Sequence, residues 1–155
     1  MFKELGSGVD GKVFYYSPTK VIKQSNYISN SIILDYIIKY NPNHIVHIYD
    51  YKVINNIYYY IMDKLNSISQ DEYKVFHSIL SHEDNNRKKN YSNDKLFQIL
   101  SGLSFGLEFD YDKVFNFYQA IQNSNINHND IHPRNIMKDE LNNFKLIDID
   151  RATIK

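Results

Sequence analysis

Up to Leu65 the apolar positions run in short, β-rich stretches broken by turn residues, and beyond it they recur at helical spacing. Residues 1–5 and 12–16 flank a glycine-rich turn, and Ser17-Pro18-Thr19 leads into the run 20–23, which predicts strand, turn, strand, turn, strand. Over 29–40, Ile33, Tyr36, Ile37 and Tyr40 fall on one helical face, and Asn41-Pro42 stops the helix. Two further β-rich runs, 45–53 and 57–65, are separated by the turn pair Asn55-Asn56. The expectation is a five-stranded antiparallel unit with one helix inserted, spanning 1–65. From Ser67 the spacing is helical, with a polar break over 81–93 that reads as an exposed loop and with helices over 94–105 and 111–123. The fold class is therefore α+β, and a second, helical unit is expected over 66–155.

Composition narrows the function classes. Lys and Arg number 18 and so do Asp and Glu, so the positive field that drives nonspecific nucleic-acid binding is missing and no nucleic-acid partner is expected. No Cys occurs, which excludes disulfides, thiolate metal sites and a cysteine nucleophile. The longest apolar runs, such as 57–62, are too short and too rich in Tyr to cross a bilayer, and the first residues run into charge and glycine rather than a leader. A soluble, cytoplasmic protein is expected. The abundance of Asn, Ile, Lys and Tyr points to an AT-rich genome, as in a virus or small-genome microbe, with the host cytoplasm as its place if viral. His44, His47, His77 and His82 lack metal-ligand spacing and read as surface or turn residues. The short basic run Arg87-Lys88-Lys89 reads as a solvated loop.

Chemistry-bearing residues gather at four places. Gly6-Ser7-Gly8-Val9-Asp10-Gly11-Lys12-Val13 is a G-x-G-x-x-G-x-V string at a strand-to-strand turn, where missing side chains let backbone N–H groups approach phosphate oxygens. An ordinary hairpin would use glycine there too. Lys23 closes the β-like run 20–23, where an ammonium on a rigid strand could neutralise nucleotide phosphates; the alternative is a solvated strand lysine. In His128-Asn129-Asp130-Ile131-His132-Pro133-Arg134-Asn135, Asp130 could orient or deprotonate an attacking hydroxyl, and Asn135, five positions on, could hold a magnesium ion. In Leu146-Ile147-Asp148-Ile149-Asp150, a hydrophobic strand delivers Asp148 to the end of a hairpin, where its carboxylate could chelate the same metal. Taken singly, Asp130 and Asp148 would be turn residues.

In that order, these four places resemble the protein-kinase-like superfamily, with its glycine-rich loop, strand lysine, H-x-D-x-x-x-x-N loop and D-F-G-like metal site. The resemblance implies a two-lobed fold whose cofactors are ATP and Mg2+. Asp130 would be the catalytic base, Asn135 and Asp148 the magnesium ligands, and Lys23 the phosphate-binding lysine. Gly6, Gly8, Gly11 and Val13 would cover the nucleotide. The run 58–65 would link the lobes, with Met62 facing the adenine pocket and Asp63 to Leu65 offering backbone hydrogen bonds to the base. The Asp-Ile-His-Pro-Arg-Asn form, with His132 in place of a lysine, is similar to aminoglycoside and choline kinases, and Leu146 to Arg151 resembles the form in lipopolysaccharide-sugar kinases. Asn129 replaces the arginine that reads activation-loop phosphorylation, so no such switch is expected. The helix over 29–40 lacks the glutamate expected to pair with Lys23, its matching position lying near Ile33 and its nearest acid being Asp35. Seven residues follow Asp148, so the helical lobe is expected to be much reduced and to lack the segment after the metal motif. The helices between Ser67 and Asn123, with a second copy or a partner protein, would take over that support. The implied activity is transfer of the γ-phosphoryl group to a hydroxyl of a protein or small molecule. The alternative is a kinase-like pseudoenzyme that binds nucleotide or a partner as a regulatory module.

Overall fold

The computed structural model describes residues 2–8, 11–28, 30–80 and 91–155. Its largest sheet joins β1 (Glu4–Gly8), β2 (Gly11–Ser17), β3 (Lys20–Ser25), β4 (Ile48–Ile54) and β5 (Ile57–Asp63) in the order β1-β2-β3-β5-β4, every neighbour antiparallel. Between β4 and β5, Asn55 and Asn56 take φ of 52° and 64°, the left-handed pair that matches the twist of a tight hairpin. The first two strands pair as far as Gly8 opposite Gly11; Val9 and Asp10, at the centre of the glycine string, lie outside the described residues. Gly11 has φ of 137°, and a Cβ there would collide with the backbone carbonyl of Gln24, so this position requires glycine for strand packing alone.

Helix α1 (Ile32–Tyr40) lays Ile33, Leu34 and Ile37 into the core beside β4. It starts later than residue 29 because the Asn30 side chain accepts the Ile32 N–H at 3.1 Å, holding the chain in a turn first. It ends at Asn41, φ 41°, whose N–H returns to the Ile37 carbonyl. The strand expected from residue 45 also starts later. Leu146 N–H donates to the His44 carbonyl at 2.7 Å and Val46 N–H to the Leu146 carbonyl at 3.0 Å, so 44–46 pair with a segment a hundred residues on rather than with β5. At the other end β5 stops at Asp63, and Asn66–Ser67 form a short strand, β6.

Helices α2 (Gln70–Leu80), α3 (Asn93–Leu103) and α4 (Tyr111–Gln122) form the second part, followed by β7 (Ile126–Asn127), β8 (Ile136–Lys138), β9 (Phe144–Leu146) and β10 (Thr153–Ile154). A reciprocal cap fixes the start of α2: Ser69 Oγ accepts the Glu72 N–H at 3.1 Å while Glu72 Oε1 accepts the Ser69 N–H at 2.7 Å. Ser92 and Asp110 cap α3 and α4 by the same chemistry. Phe76 stands edge-on to Phe117 and Phe144, with centroids 5.6 and 4.9 Å away, so α2, α4 and β9 share one aromatic core. Lys138 reaches Glu72 at 2.8 Å and ties β8 to α2. Most of the expected loop over 81–93, including the basic run, lies outside the described residues.

Two apolar clusters result. One gathers the sheet, α1, Ile126, Ile149 and Ala152; the other gathers α2, α3, α4, β8 and β9. The stretch from Ile126 to Ala152 feeds both, which places its polar residues at the seam. Among the described residues no helix is long and apolar enough to cross a membrane.

Candidate active site

The seam is built around one residue. The two polar groups of the Ile147 backbone are both held: its N–H donates to the Asn135 carbonyl at 2.8 Å and its carbonyl accepts from His128 Nε2 at 2.8 Å. Asp148 follows directly and takes φ of 56°, a left-handed conformation that Asp tolerates better than most residues. The hairpin β8–β9 sets this up, because Ile136 pairs with Leu146 and leaves Asn135 and Ile147 adjacent.

On the other side, Pro133–Asn135 form a single 3-10 turn that swings the Asn135 amide back over Asp130. Asn135 Nδ2 donates to the Asp130 carbonyl at 2.9 Å and to its Oδ2 at 3.2 Å, and meets His132 Nε2 at 3.0 Å. His132 Nε2 lies 3.6 Å from Asp130 Oδ1. Asp130, Asn135 and Asp148 are thus brought into one neighbourhood. Asn129, φ 65°, fastens the loop beyond Asp148 by donating to the Arg151 carbonyl at 2.9 Å and Thr153 Oγ1 at 3.1 Å, beside the β7–β10 pairing.

The sheet contributes from above. Gly6, Val13, Lys23 and Tyr60 stand opposite one another across β1, β2, β3 and β5, and Gly8, Gly11, Ser25 and Tyr58 form the next row on the same face. Val13 packs against the core cluster, whereas Gly6 and Gly8 are exposed, with open space where a Cβ would be. Tyr60 is fully buried and its hydroxyl donates to Asp150 Oδ1 at 3.2 Å, joining the Lys23 row to the acidic loop. Met62 is buried in the same core, opposite Val21 and Ile48. Asp63 Oδ1 accepts from Tyr49 at 2.5 Å, and the N–H groups of Asp63 and Lys64 are spent on the His47 and Thr19 carbonyls. Leu65 is half-buried against the core cluster.

Electrostatics follow from this burial. Desolvation pushes the Asp150 carboxyl up to about 6, with the field of Lys23 opposing it and that of Asp148 adding to it. Burial drives the Tyr60 phenol well above its ordinary range, and the charges of Asp150 and Asp148 push the same way. Burial pulls His128 below its ordinary value against its bond to Ile147 and the charges of Asp148 and Asp130. His44 is buried, not a surface residue as its polar surroundings suggest; burial, with Lys145 and His128, lowers it to about 4. Three residues of the site went unassigned in the sequence. Tyr60 is one tyrosine among many on strands, Asp150 is the second acid of the Leu146 to Asp150 run, and His128 opens its motif; only the last two had a local signal.

A hard divalent cation fits the donors present. With its amide nitrogen spent on Asp130 and His132, Asn135 keeps Oδ1 as an oxygen ligand, and Asp148 brings a carboxylate. Among the described residues no cluster of three or more His, Asp or Glu could hold a metal unaided, so an ion here would take its remaining ligands from phosphate and water. No family model and no curated protein matches the chain.

Proposed function

We propose that this chain is a protein-kinase-like phosphotransferase that uses ATP and Mg2+ to phosphorylate a hydroxyl acceptor. The observation that carries the reading is the double clamp on Ile147, which gathers Asp130, Asn135 and Asp148, while Tyr60 joins the row of Lys23 to the same loop. Asn135 and Asp148 would hold the magnesium ion, which neutralises phosphate charge when bound. Asp130 orients the acceptor hydroxyl and takes its proton as oxygen forms the new bond to phosphorus and the β-phosphate oxygen departs. The Asn135 amide, bonded to both the carbonyl and the carboxylate of Asp130, holds it in place for that task. Lys23 balances the negative charge of the phosphates.

A second reading, nucleotide binding without transfer, is favoured by one feature. The α1 acid nearest the expected position, Asp35, accepts from the Tyr51 hydroxyl at 2.8 Å and so is committed away from Lys23.

The test is nucleotide binding and turnover by the purified full chain. Under the proposal ATP raises Tm only when Mg2+ is present, ADP accumulates, and Asp130→Asn lowers kcat by about 10²- to 10⁴-fold with ATP binding retained. Binding with no turnover by wild type in the presence of any hydroxyl acceptor selects the second reading. No stabilisation by any nucleoside triphosphate would sink both.

A further inference from the structure

We propose that Asp150 is the positioning residue for Lys23, supplying from the acidic loop the counter-ion that α1 does not offer. The inference rests on the phosphate-binding reading of Lys23 and adds to it a second acid, two residues beyond Asp148.

Lys23 sits on β3 directly opposite Tyr60 on β5, on the face turned toward the core. The Tyr60 hydroxyl donates to one oxygen of Asp150, and Tyr60 is itself buried in the core. The other oxygen, Oδ2, is buried with no hydrogen-bond partner within ordinary geometry, and Asp150 as a residue is only 6% exposed. A buried carboxylate with an open lone pair needs a donor or a cation. The groups that act on it are Lys23 and Ser25 from β3, Tyr60 from β5 and Asp148 from its own loop; the Ser25 and Tyr60 hydroxyls can donate to it, and only Lys23 is a cation that balances its charge. Among the described residues Lys23 makes no ion pair within 4.0 Å, so its ammonium is not committed to another acid and lies within the field of the Asp150 carboxylate.

The helix cannot supply the acid. Ile33, Leu34 and Ile37 fill its buried face, and Asp35 is exposed and bonded to Tyr51. An anchor at Asp150 has a consequence for control. In the proposed arrangement the metal ligand and the lysine anchor belong to one short loop, fastened by Asn129 and by Ile149 and Ala152 in the core. They are set or lost together, and a shift of α1 alone would not uncouple them.

The decisive measurement does not depend on catalysis. Acetylation of the full chain by an amine-directed N-hydroxysuccinimide ester, quantified per lysine by mass spectrometry, reports how well each ammonium is held. Asp150→Asn is expected to raise the Lys23 rate about tenfold relative to Lys12 and Lys52, Asp150→Glu to restore it to within about threefold, and Asp35→Asn to leave it within about twofold. An unchanged Lys23 rate in Asp150→Asn, or an equal rise in Asp35→Asn, overturns the proposal. A parallel rise at all three lysines signals loss of fold; Tyr60→Phe then serves, and overturns the proposal if Lys23 alone stays unaffected. In turnover, Asp150→Asn should lower kcat more than it raises KM for ATP. If wild type shows labelling as expected but no nucleotide binding, the pairing stands and the phosphotransferase reading fails.

Discussion

Acid should act on this protein first through His44. Its carbonyl receives the Leu146 N–H, and its ring is buried at the junction of the sheet with β9, next to the field of His128. The folded ring takes a proton near pH 4 and the unfolded one near 6.5, so between those values the unfolded chain binds more protons and stability falls as pH falls. At 8% exposure there is little solvent screening to discount. Going from about pH 7.5 to about pH 4.5, this one group should cost about 2 to 3 kcal/mol. Asp150 works the other way. Its folded pKa is raised from 3.8 to about 6, so the stability it contributes is present below 3.8 and lost as pH rises through 6; acidification over the same interval restores about 2 kcal/mol. The two act in opposite senses, and the substitution His44→Gln removes the first of them. Urea denaturation at both pH values in metal-free buffer, followed by circular dichroism, measures it. Relative to wild type, His44→Gln should retain about 2 to 3 kcal/mol more of its neutral-pH stability at about pH 4.5, part of it through the field that His44 and His128 exert on each other. A difference below about 0.5 kcal/mol would refute the burial argument for His44.

Gly11→Ala should cost about 2 to 4 kcal/mol in urea denaturation, because both the backbone angle and the Gln24 carbonyl oppose a Cβ. Gly6→Ala and Gly8→Ala meet open space and should stay within about 1 kcal/mol of wild type, while under the proposed function they weaken ATP affinity in calorimetric titration. Glu72→Gln keeps an acceptor for the Ser69 N–H but leaves Lys138 unpaired, and should lower stability by about 2 kcal/mol; a wild-type melting curve would refute the tie between α2 and β8. Asn129→Ala should speed amide hydrogen exchange at residues 152–154, and unchanged protection there would mean that the β7–β10 pairing alone holds the loop.

Where neighbours in sequence decide the structure, the reading from sequence succeeded. The number of strands in the sheet, the Asn55-Asn56 hairpin and the helices follow from local periodicity, turn residues and caps, although the first strand runs over Glu4–Gly8 rather than 1–5 and takes in Gly6 and Gly8, which read as turn. It failed where a partner lies far along the chain. Ile45 and Val46 look like the start of β4, yet they pair with Leu146. The polar run Asn41 to His44 looks exposed, yet β9 covers His44. Short strands such as β7 and β10, two residues each, carry no periodicity to read. For the candidate site the same division holds: Asp130, Asn135 and Asp148 carry a spacing, whereas the bond from Tyr60 to Asp150 joins residues ninety positions apart.

Asp148 shows what that distant bonding accomplishes. Nothing in Ile147-Asp148-Ile149 demands a left-handed residue, and for a non-glycine that conformation costs on the order of 1 kcal/mol. The conformation is imposed from outside, since Asn135 and His128 hold both polar groups of Ile147 while Ile149 is driven into the core on the other side. Each constraint comes from a different part of the chain, so no single local relaxation can turn Asp148 back to an ordinary angle. Strain maintained by several independent contacts is the kind that survives at sites where a carboxylate must point in one direction. The residue proposed to hold a metal ion is therefore one whose backbone is fixed by contacts on both sides.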